Sequence, residues 1–323
     1  MTEEEMQRKI AGIIMPHALG AQDRVEANDI KFVHYTRADT LIEILKSKCI
    51  WMRNASCMND YNEMRHGLKC LIDAFASDAG NAFNAAINEC HEGLAGELDQ
   101  MFSAIAPQLL EHTYLTCVSE HAEDEGSYGR LSMWQTYGSS TGAAIIFNNG
   151  PFLRPTSALP LYSMPVNYVN EEGFRGQIAS IAASIAAEVE FISSLDRNEW
   201  RDVLFRMLVF MVVSTKHEGF RDEREWRIIH LPTLWGAPDE RVPLDQVSIS
   251  GVPQPIFKIP FKDYPDEGFY GVTIPDLVSQ IIIGPTQYPG AIRMAVAQIL
   301  MKENVENAMD RVHCSDVTLR VNP

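Results

Sequence analysis

The feature that most constrains the fold of this chain is the interruption of short strand-like runs by two long helical segments. Runs of β-branched and aromatic residues occupy 31–35, 113–119, 142–147, 225–231 and 279–285. Residues 63–112 and 171–215 instead carry apolar positions at helical spacing. Near the end of the sequence we predict a helix at 288–304 and a closing strand at 316–321. Because strands and helices do not alternate regularly, the pattern predicts an α+β protein with a central mixed or split β-sheet and two helical insertions.

The chain is long enough to bury a substantial core. It has 323 residues, of which 46% are hydrophobic and 22% charged, which is ordinary globular usage. We expect residues 1–30 to form a helical lead-in and residues 31–323 to form a single α+β domain that contains both insertions. The formal net charge of −16 disfavours a nucleic-acid partner, since non-specific binding to phosphates depends on clustered Lys and Arg.

Targeting and metal-binding signals are also informative. The first residues, MTEEEMQRKI, lack the basic and apolar regions of a secretory signal, and the longest apolar run, 203–213, contains Arg206. We therefore expect a cytoplasmic protein with no membrane span. The six cysteines show no CxxC pair and no metal-ligand spacing, which predicts reduced thiols and no bound metal.

The first candidate site lies in the run FVHYTR, where His34, Tyr35 and Thr36 precede a helical segment. Side chains alternate along a strand, so His34 and Thr36 share one face and Tyr35 points to the other. A polar pair on a strand suits a binding site. The alternative is that His34 is a packing residue with a satisfied hydrogen bond.

The second candidate is the run EREWRII, from residue 223 to 229. On an extended backbone Glu223, Glu225 and Arg227 share one face, while Trp226 and Ile228 share the other, which suits the core. Two carboxylates beside a guanidinium could act on a ligand. The alternative is a solvated strand stabilised by salt bridges.

The third candidate combines TCVSE with LSMWQTYG. Trp134 and Tyr137 are three positions apart, so on a helix they share a face and could stack on a planar ligand. Such a pair is more often part of a core. Ser119, near the end of the preceding strand, could bind a ligand or cap the following loop.

Several short motifs occur in a specific order: HYT with LxxIL behind it, WMRN and then NDYNE, TCVSE and then MWQTYG, GxAIIF, and EREWRII. In this order they resemble the bacterial family called domain of unknown function 2971, over about residues 32–229. The resemblance implies no activity by itself.

The order of parts is also similar to that of ADP-ribosyltransferase folds. The resemblance implies that His34, with Tyr35 and Thr36, would hold a ribose of NAD. It implies that Tyr137 or Trp134 would stack on nicotinamide near Ser119, and that Glu225, with Glu223 and Arg227 beside it, would stabilise the departing glycosyl cation. The chain departs from arginine-modifying members in having His34 where Arg is expected and CVS where Ser-Thr-Ser is expected.

The chemistry fits these residue types, because cleavage of the glycosidic bond passes through an oxocarbenium-like state that a nearby carboxylate stabilises. The sequence thus predicts an NAD-dependent ADP-ribosyltransferase or NAD-cleaving enzyme with an unknown acceptor, in bacterial defence or stress response, provided that His34 and Glu225 face one cleft. Two alternatives remain: a non-catalytic module that binds a nucleotide or small ligand, and a protein-interaction protein. The chain has no HExxH or Gly-rich phosphate-loop motif.

Overall fold

The computed structural model describes residues 1–58, 63–138, 140–154, 156–234, 239–249 and 251–317. The chain divides into two compact units, which are described separately below. Unit 1 comprises Met1–Asp23, Asn54–Thr113 and Met164–Asp222, and unit 2 comprises Arg24–Arg53, Tyr114–Ser163 and Glu223–Pro323. Both helical segments predicted as insertions belong to unit 1, together with most of the predicted lead-in.

The helices have the following bounds: α1 Glu3–Ile14, α2 Pro16–Ala27, α3 Ala38–Ser47, α4 Glu63–Phe75, α5 Asp78–Cys90, α6 Leu94–His112, α7 Leu131–Met133, α8 Gly150–Leu153, α9 Glu171–Ala187, α10 Val189–Ser193, α11 Arg197–Val213, α12 Ile274–Leu277 and α13 Pro289–Lys302. A π-helix, Trp134–Gly138, follows α7 directly.

The strands have the following bounds: β1 Lys31–Arg37, β2 Cys49–Asn54, β3 Tyr114–His121, β4 Gly142–Phe147, β5 Tyr162–Pro165, β6 Asn167–Tyr168, β7 Thr215–Lys216, β8 Glu225–His230, β9 Leu244–Ile249, β10 Val252–Pro260, β11 Val278–Ile283 and β12 Val312–Cys314.

Unit 2 is built on a large mixed β-sheet, as predicted. Within the described residues the main path of the sheet runs β12-β11-β4-β1-β3-β2-β10-β9, and β8 lies beside β3 off this path. Strands β11 and β12 are parallel, whereas β1 is antiparallel to both β3 and β4. The α+β class is therefore confirmed.

Strand β3 is the branch point of this sheet, because it neighbours β1, β2 and β8. Its C-terminal part pairs with β1, from Lys31↔His121 to Val33↔Ser119. The segment from Tyr114 to Ser119 pairs with β8 in continuous antiparallel register. All residues of β8 are buried, so this strand is interior on both faces.

The helices of unit 1 begin where the sequence supplies side-chain caps. The side chains of Ser77, Asn170 and Asp196 accept hydrogen bonds from backbone N–H groups in the first turns of α5, α9 and α11. These caps satisfy donors that a helix cannot pair internally. The core of unit 1 is then built from the apolar faces of these helices, including Phe83, Phe174, Ile178, Leu204 and Val209.

Most of the predicted elements are present. The predicted strands at 31–35, 113–119, 142–147, 225–231 and 279–285 correspond to β1, β3, β4, β8 and β11, and the helix predicted at 288–304 corresponds to α13. Strand β5 lies in a proline-rich passage that gave no strand signal, and β9 was also missed. The strand predicted at 316–321 is wrong for residues 316 and 317, because β12 ends at Cys314, and 318–321 lie outside the described residues.

Two smaller predictions concern hydropathy and thiols. In the described part of the chain, no helix combines the length and apolar character needed to cross a bilayer. None of the six cysteines, all of which lie in the described ranges, is in a disulfide bond.

The backbones of helices α4 and α11 approach each other closely at Gly67. A Cβ atom added to Gly67 in α4 would lie 2.1 Å from the carbonyl oxygen of Val212 in α11. We expect Gly67→Ala to lower the free energy of unfolding by about 2 kcal/mol or more, because two backbones must separate. Urea denaturation followed by circular dichroism measures this change.

Gly96→Ala is the matched control, since Gly96 lies in α6 and nothing lies within 4 Å of the added Cβ. It should be neutral or stabilise by up to about 1 kcal/mol through helix propensity. Equal effects of the two substitutions would contradict the close approach of α4 and α11.

Candidate functional site

The register of three strands determines which of the predicted site residues share a face of the sheet. Val33 pairs with Ser119, and Ser119 pairs with Glu225. Directly paired residues of antiparallel strands project from the same face. His34 follows Val33 on a regular strand and pairs with Ile145, so it projects from the opposite face. The single cleft expected between His34 and Glu225 is therefore not formed by these strands.

The face that carries Glu225 assembles most of the predicted residues. Arg227 pairs with Cys117 and lies on this face with Ser119. Tyr35 projects from it as well, and Trp134 and Tyr137 pack in a cluster with Tyr35. Glu223 ends a 3₁₀ helix, Glu218–Glu223, just before β8. Only His34 and Thr36, among the residues predicted on strands, project from the other face.

Glu225 and Arg227 form a buried ion pair. The Nε of Arg227 donates to Oε1 of Glu225 at 2.9 Å, and the side chains are 0% and 7% exposed for Arg227 and Glu225. Removal of one member of such a pair typically destabilises a protein by about 3–5 kcal/mol, because the other charge is left uncompensated. The alternative of a solvated strand with surface salt bridges is therefore wrong, whereas the predicted core face of Trp226 and Ile228 is confirmed.

His34 satisfies a backbone group near the branch point of the sheet. Its Nδ1 lies 2.9 Å from the carbonyl oxygen of Cys117 in β3 and donates to it. The backbone pairing of β1 with β3 ends at Val33↔Ser119. The hydrogen bond from the His34 imidazole to Cys117 lies next to the end of this pairing. Burial lowers the pKa of His34, and the hydrogen bond to Cys117 offsets this only in part. The neutral imidazole thus has a satisfied hydrogen bond to the backbone, which is the arrangement that the alternative of a packing residue requires.

Trp134 is a core residue and is only 1% exposed. Its ring meets Tyr35 edge-on, with centroids 4.8 Å apart, and its Nε1 donates to the Tyr128 carbonyl at 2.7 Å. Three glycines also pack against the indole: a Cβ at Gly129, Gly142 or Gly284 would lie 2.8, 3.1 or 2.8 Å from a ring atom. Trp134 is therefore enclosed. Of the two stacking candidates, Tyr137 is the one that is only partly buried.

A polar network that the sequence did not reveal fixes Tyr35. The backbone N–H of Arg130 donates to Oη of Tyr35 at 2.8 Å, and Nη2 of Arg130 donates to Oε1 of Glu125 at 2.8 Å. Nδ1 of His121 lies 3.4 Å from the second carboxylate oxygen of Glu125, Oε2. Burial raises the pKa of Tyr35 to about 12. The only sequence signal was a set of charges in a glycine-containing loop, which is common in solvated loops.

A small cavity lies on the opposite face of the sheet and has a volume of about 90 Å³. Val118 and Phe147 line it, and both are on the face from which His34 projects. The lining is mainly apolar and comprises Ile50, Thr116, Val118, Phe147, Pro151, Phe152, Arg154, Thr156, Leu159, Leu161, Ser163, Ile228, Ile259, Phe261, Phe269, Val272 and Leu277. None of the predicted site residues is in this lining.

Polar groups at the cavity are few. Oγ of Ser163 is buried and has no hydrogen-bond partner among the described residues. Arg154 is exposed and its guanidinium lies over the Tyr270 ring, 4.8 Å from the centroid. The sequence signal was the proline-rich passage 151–165, which supplies seven of the lining residues: Pro151, Phe152, Arg154, Thr156, Leu159, Leu161 and Ser163.

No metal site is evident in the described parts of the chain: they contain no group of three or more His, Cys, Asp or Glu side chains arranged to hold an ion. Glu125 has a lowered pKa: burial would raise it, but the proximity of His121 and the hydrogen bonds from the Arg130 guanidinium outweigh that effect.

Comparison with known proteins gives one match. Residues 133–228 match the sequence model of a family described as "Protein of unknown function (DUF2971)". This match supports the family indicated by the motif order, over the part of the chain that includes Trp134, Tyr137, Glu225 and Arg227. No curated protein and no solved structure matches the chain.

The partly buried, neutral imidazole of His34 predicts a pH dependence of stability. Because the pKa of His34 is lowered in the folded state, the unfolded chain binds a proton more readily. The contribution of neutral His34 is complete above the unfolded pKa of about 6.5 and is lost as the pH falls below it. We expect His34→Gln to reduce the loss of unfolding free energy between about pH 7.5 and about pH 5, by at most about 1.4 kcal/mol per pH unit.

Urea denaturation of both proteins at each pH measures this difference. His230, whose pKa burial also lowers, is present in both proteins and cancels in the comparison. Parallel pH profiles for the two proteins would show that folding does not lower the pKa of His34.

Proposed function

We propose that unit 2, part of which matches a family without an assigned activity, is a binding module for a small amphipathic acid and does not turn it over. The ligand would have an apolar body in the cavity of about 90 Å³ and a carboxylate beside Arg154. The observation that carries the proposal is a largely apolar lining that also contains one unpaired buried hydroxyl, from Ser163, and one exposed guanidinium.

The cavity volume decides the size of the ligand. Pockets for drug-sized ligands usually enclose about 300–1,000 Å³, so about 90 Å³ is too small for a whole nucleotide. An engineered apolar cavity of about 150 Å³ holds benzene. The body of the ligand is therefore a short alkyl chain or a single ring.

The lining decides the polarity of the ligand. Leu159, Ile228 and Val272 are typical of the lining and are all nearly fully buried, so a charged group inside the cavity would be unpaired and costly. A carboxylate at the exposed Arg154 would remain hydrated and would still gain a charge-assisted hydrogen bond. An apolar body with an acidic end satisfies both conditions.

Hexanoate is a suitable probe, with hexanol as its uncharged counterpart, and calorimetry measures both affinities. We expect hexanoate to bind more tightly than hexanol. Arg154→Gln should lower the affinity for hexanoate by about two- to fivefold and leave the affinity for hexanol unchanged. The loss is modest because the guanidinium is exposed.

Arg37→Gln is the matched control, since Arg37 is an exposed arginine of the same unit that does not line the cavity. Leu161→Phe, which adds volume to the lining, should weaken both probes. Failure of the wild type to bind hexanoate, or equal binding by all variants, would refute the proposal. Chemical change of the bound hexanoate would refute its non-catalytic part.

A second candidate function is NAD cleavage or NAD-dependent ADP-ribosyl transfer, with Glu225 as the charge-stabilising residue. It is supported by the gathering of Tyr35, Ser119, Tyr137, Glu225 and Arg227 on one face of the sheet. In this reaction the glycosidic bond breaks with its electron pair leaving on nicotinamide. The ribose carbon then bonds to an acceptor nucleophile or water, which releases a proton.

This candidate makes its own prediction. Incubation with NAD should release nicotinamide, and Glu225→Gln should reduce the rate by at least about a hundredfold if its charge stabilises the transition state. His34→Gln should leave the rate unchanged, because His34 lies on the other face of the sheet.

Because Glu225→Gln disturbs a buried ion pair, its circular dichroism must first match that of the wild type. Ser119→Ala provides a milder change on the same face and should also slow release. No nicotinamide release by the wild type would eliminate this candidate and leave the acid-binding proposal standing.

A further inference from the structure

Unit 1 contains a cavity of its own, about 110 Å³ in volume. It is lined by the junction of α1 and α2, by the segment that includes β6, by α9 and by the C-terminal end of α11. The lining includes Asn167, Gln177, Ile181, Phe210 and Ser214. All lie in the part of the chain that forms unit 1.

Ser214 contributes a hydroxyl that is buried without a partner. The residue is 4% exposed, its N–H donates to the Phe210 carbonyl at 2.8 Å, and its own carbonyl accepts from Asn167 N–H at 2.7 Å. Its Oγ, however, makes no hydrogen bond within the described residues. Such unpaired buried hydroxyls are unfavourable unless a bound molecule satisfies them.

The neighbouring Thr215 shows that a hydroxyl at this end of α11 can be satisfied by a backbone carbonyl of the helix. Its Oγ1 donates to the Met211 carbonyl at 2.6 Å, which is the usual way for a hydroxyl at a helix end to be satisfied. Ser214 stands one residue earlier, at the C-cap of α11, and its Oγ makes no such bond among the described residues. Its hydroxyl therefore remains available to a bound molecule.

Two amides add further hydrogen-bonding capacity. Nδ2 of Asn167 donates to Oε1 of Gln177 at 2.7 Å, and Nε2 of Gln177 donates to Oδ1 of Asn167 at 3.1 Å. A carboxamide has two N–H donors and an acceptor oxygen, so this reciprocal pair fixes the orientation of both groups without exhausting them. The polar side of the cavity is thus rigid.

The lining decides the charge of the ligand. Among its residues there is no Asp, Glu, Lys or Arg, and its one titratable side chain, His17, is exposed. An ion without a counter-charge is strongly disfavoured in such surroundings. The volume again limits the ligand to one ring or a short chain.

We propose that this cavity binds a small neutral molecule, one ring or a short alkyl chain with a single hydroxyl that hydrogen-bonds to Oγ of Ser214. It differs from the cavity of unit 2 in charge selectivity, because no cationic side chain of the Lys or Arg type lines it.

Phenol and toluene are probes that differ by one hydroxyl, and benzoate is the charged counterpart. We expect the whole protein to bind phenol more tightly than toluene, and benzoate not to compete with phenol. Ser214→Ala should lower the affinity for phenol by about two- to tenfold, which is the usual effect of one hydrogen bond, and leave the affinity for toluene unchanged. Since the substitution removes an unpaired hydroxyl, it should not destabilise the fold. Calorimetry or ligand-observed NMR gives the affinities.

Controls separate this site from that of unit 2. Arg154→Gln should leave phenol binding unchanged, and Ile181→Phe, which adds volume to the lining, should weaken both phenol and toluene. Absence of phenol binding, or equal phenol affinity for the wild type and Ser214→Ala, would overturn the proposal. Either result would mean that Oγ of Ser214 does not bind a ligand hydroxyl, and neither bears on hexanoate binding by unit 2.

Discussion

The pairing of β3 with strands on both of its edges is the constraint on which the rest of unit 2 depends. Through Ser119, this strand links Val33 of β1 to Glu225 of β8 in a single line across the sheet. The alternation of side chains then assigns every residue of these strands to a face. Burial of β8 on both faces allows one side of the same sheet to hold an ion pair while the other side borders an apolar cavity.

The elements of the fold followed from local patterns, but the site did not. β-Branched runs and helical periodicity were enough to find β4, β8 and α13, and alternation alone placed Glu225 and Arg227 on one face. Whether His34 shares that face depends on the register between β1, β3 and β8, which are far apart in the sequence. Burial of the Glu225–Arg227 pair was equally inaccessible, because a run of charges has the same appearance in a solvated strand and in an interior one.

The two proposed ligand sites have a common physical origin. Each is a small cavity of mainly apolar lining in which one serine hydroxyl, from Ser163 or Ser214, is buried and unpaired among the described residues. They differ in their surroundings, since an exposed guanidinium belongs to the first and only an exposed imidazole to the second. Ser163 and Ser214 gave no signal in the sequence, because the role of each hydroxyl depends on which backbone groups are already paired around it.

The enclosure of Trp134 has a consequence for how sequences of this kind can vary in length. Gly129, Gly142 and Gly284 come from three separate stretches of the chain, and each brings its backbone against the same indole. Insertions between these stretches are tolerable only if they loop outward and return the chain to the ring. The tryptophan therefore limits where loops can lengthen. Chains of different length that keep Trp134 must also keep small residues at these three positions, packed against the indole.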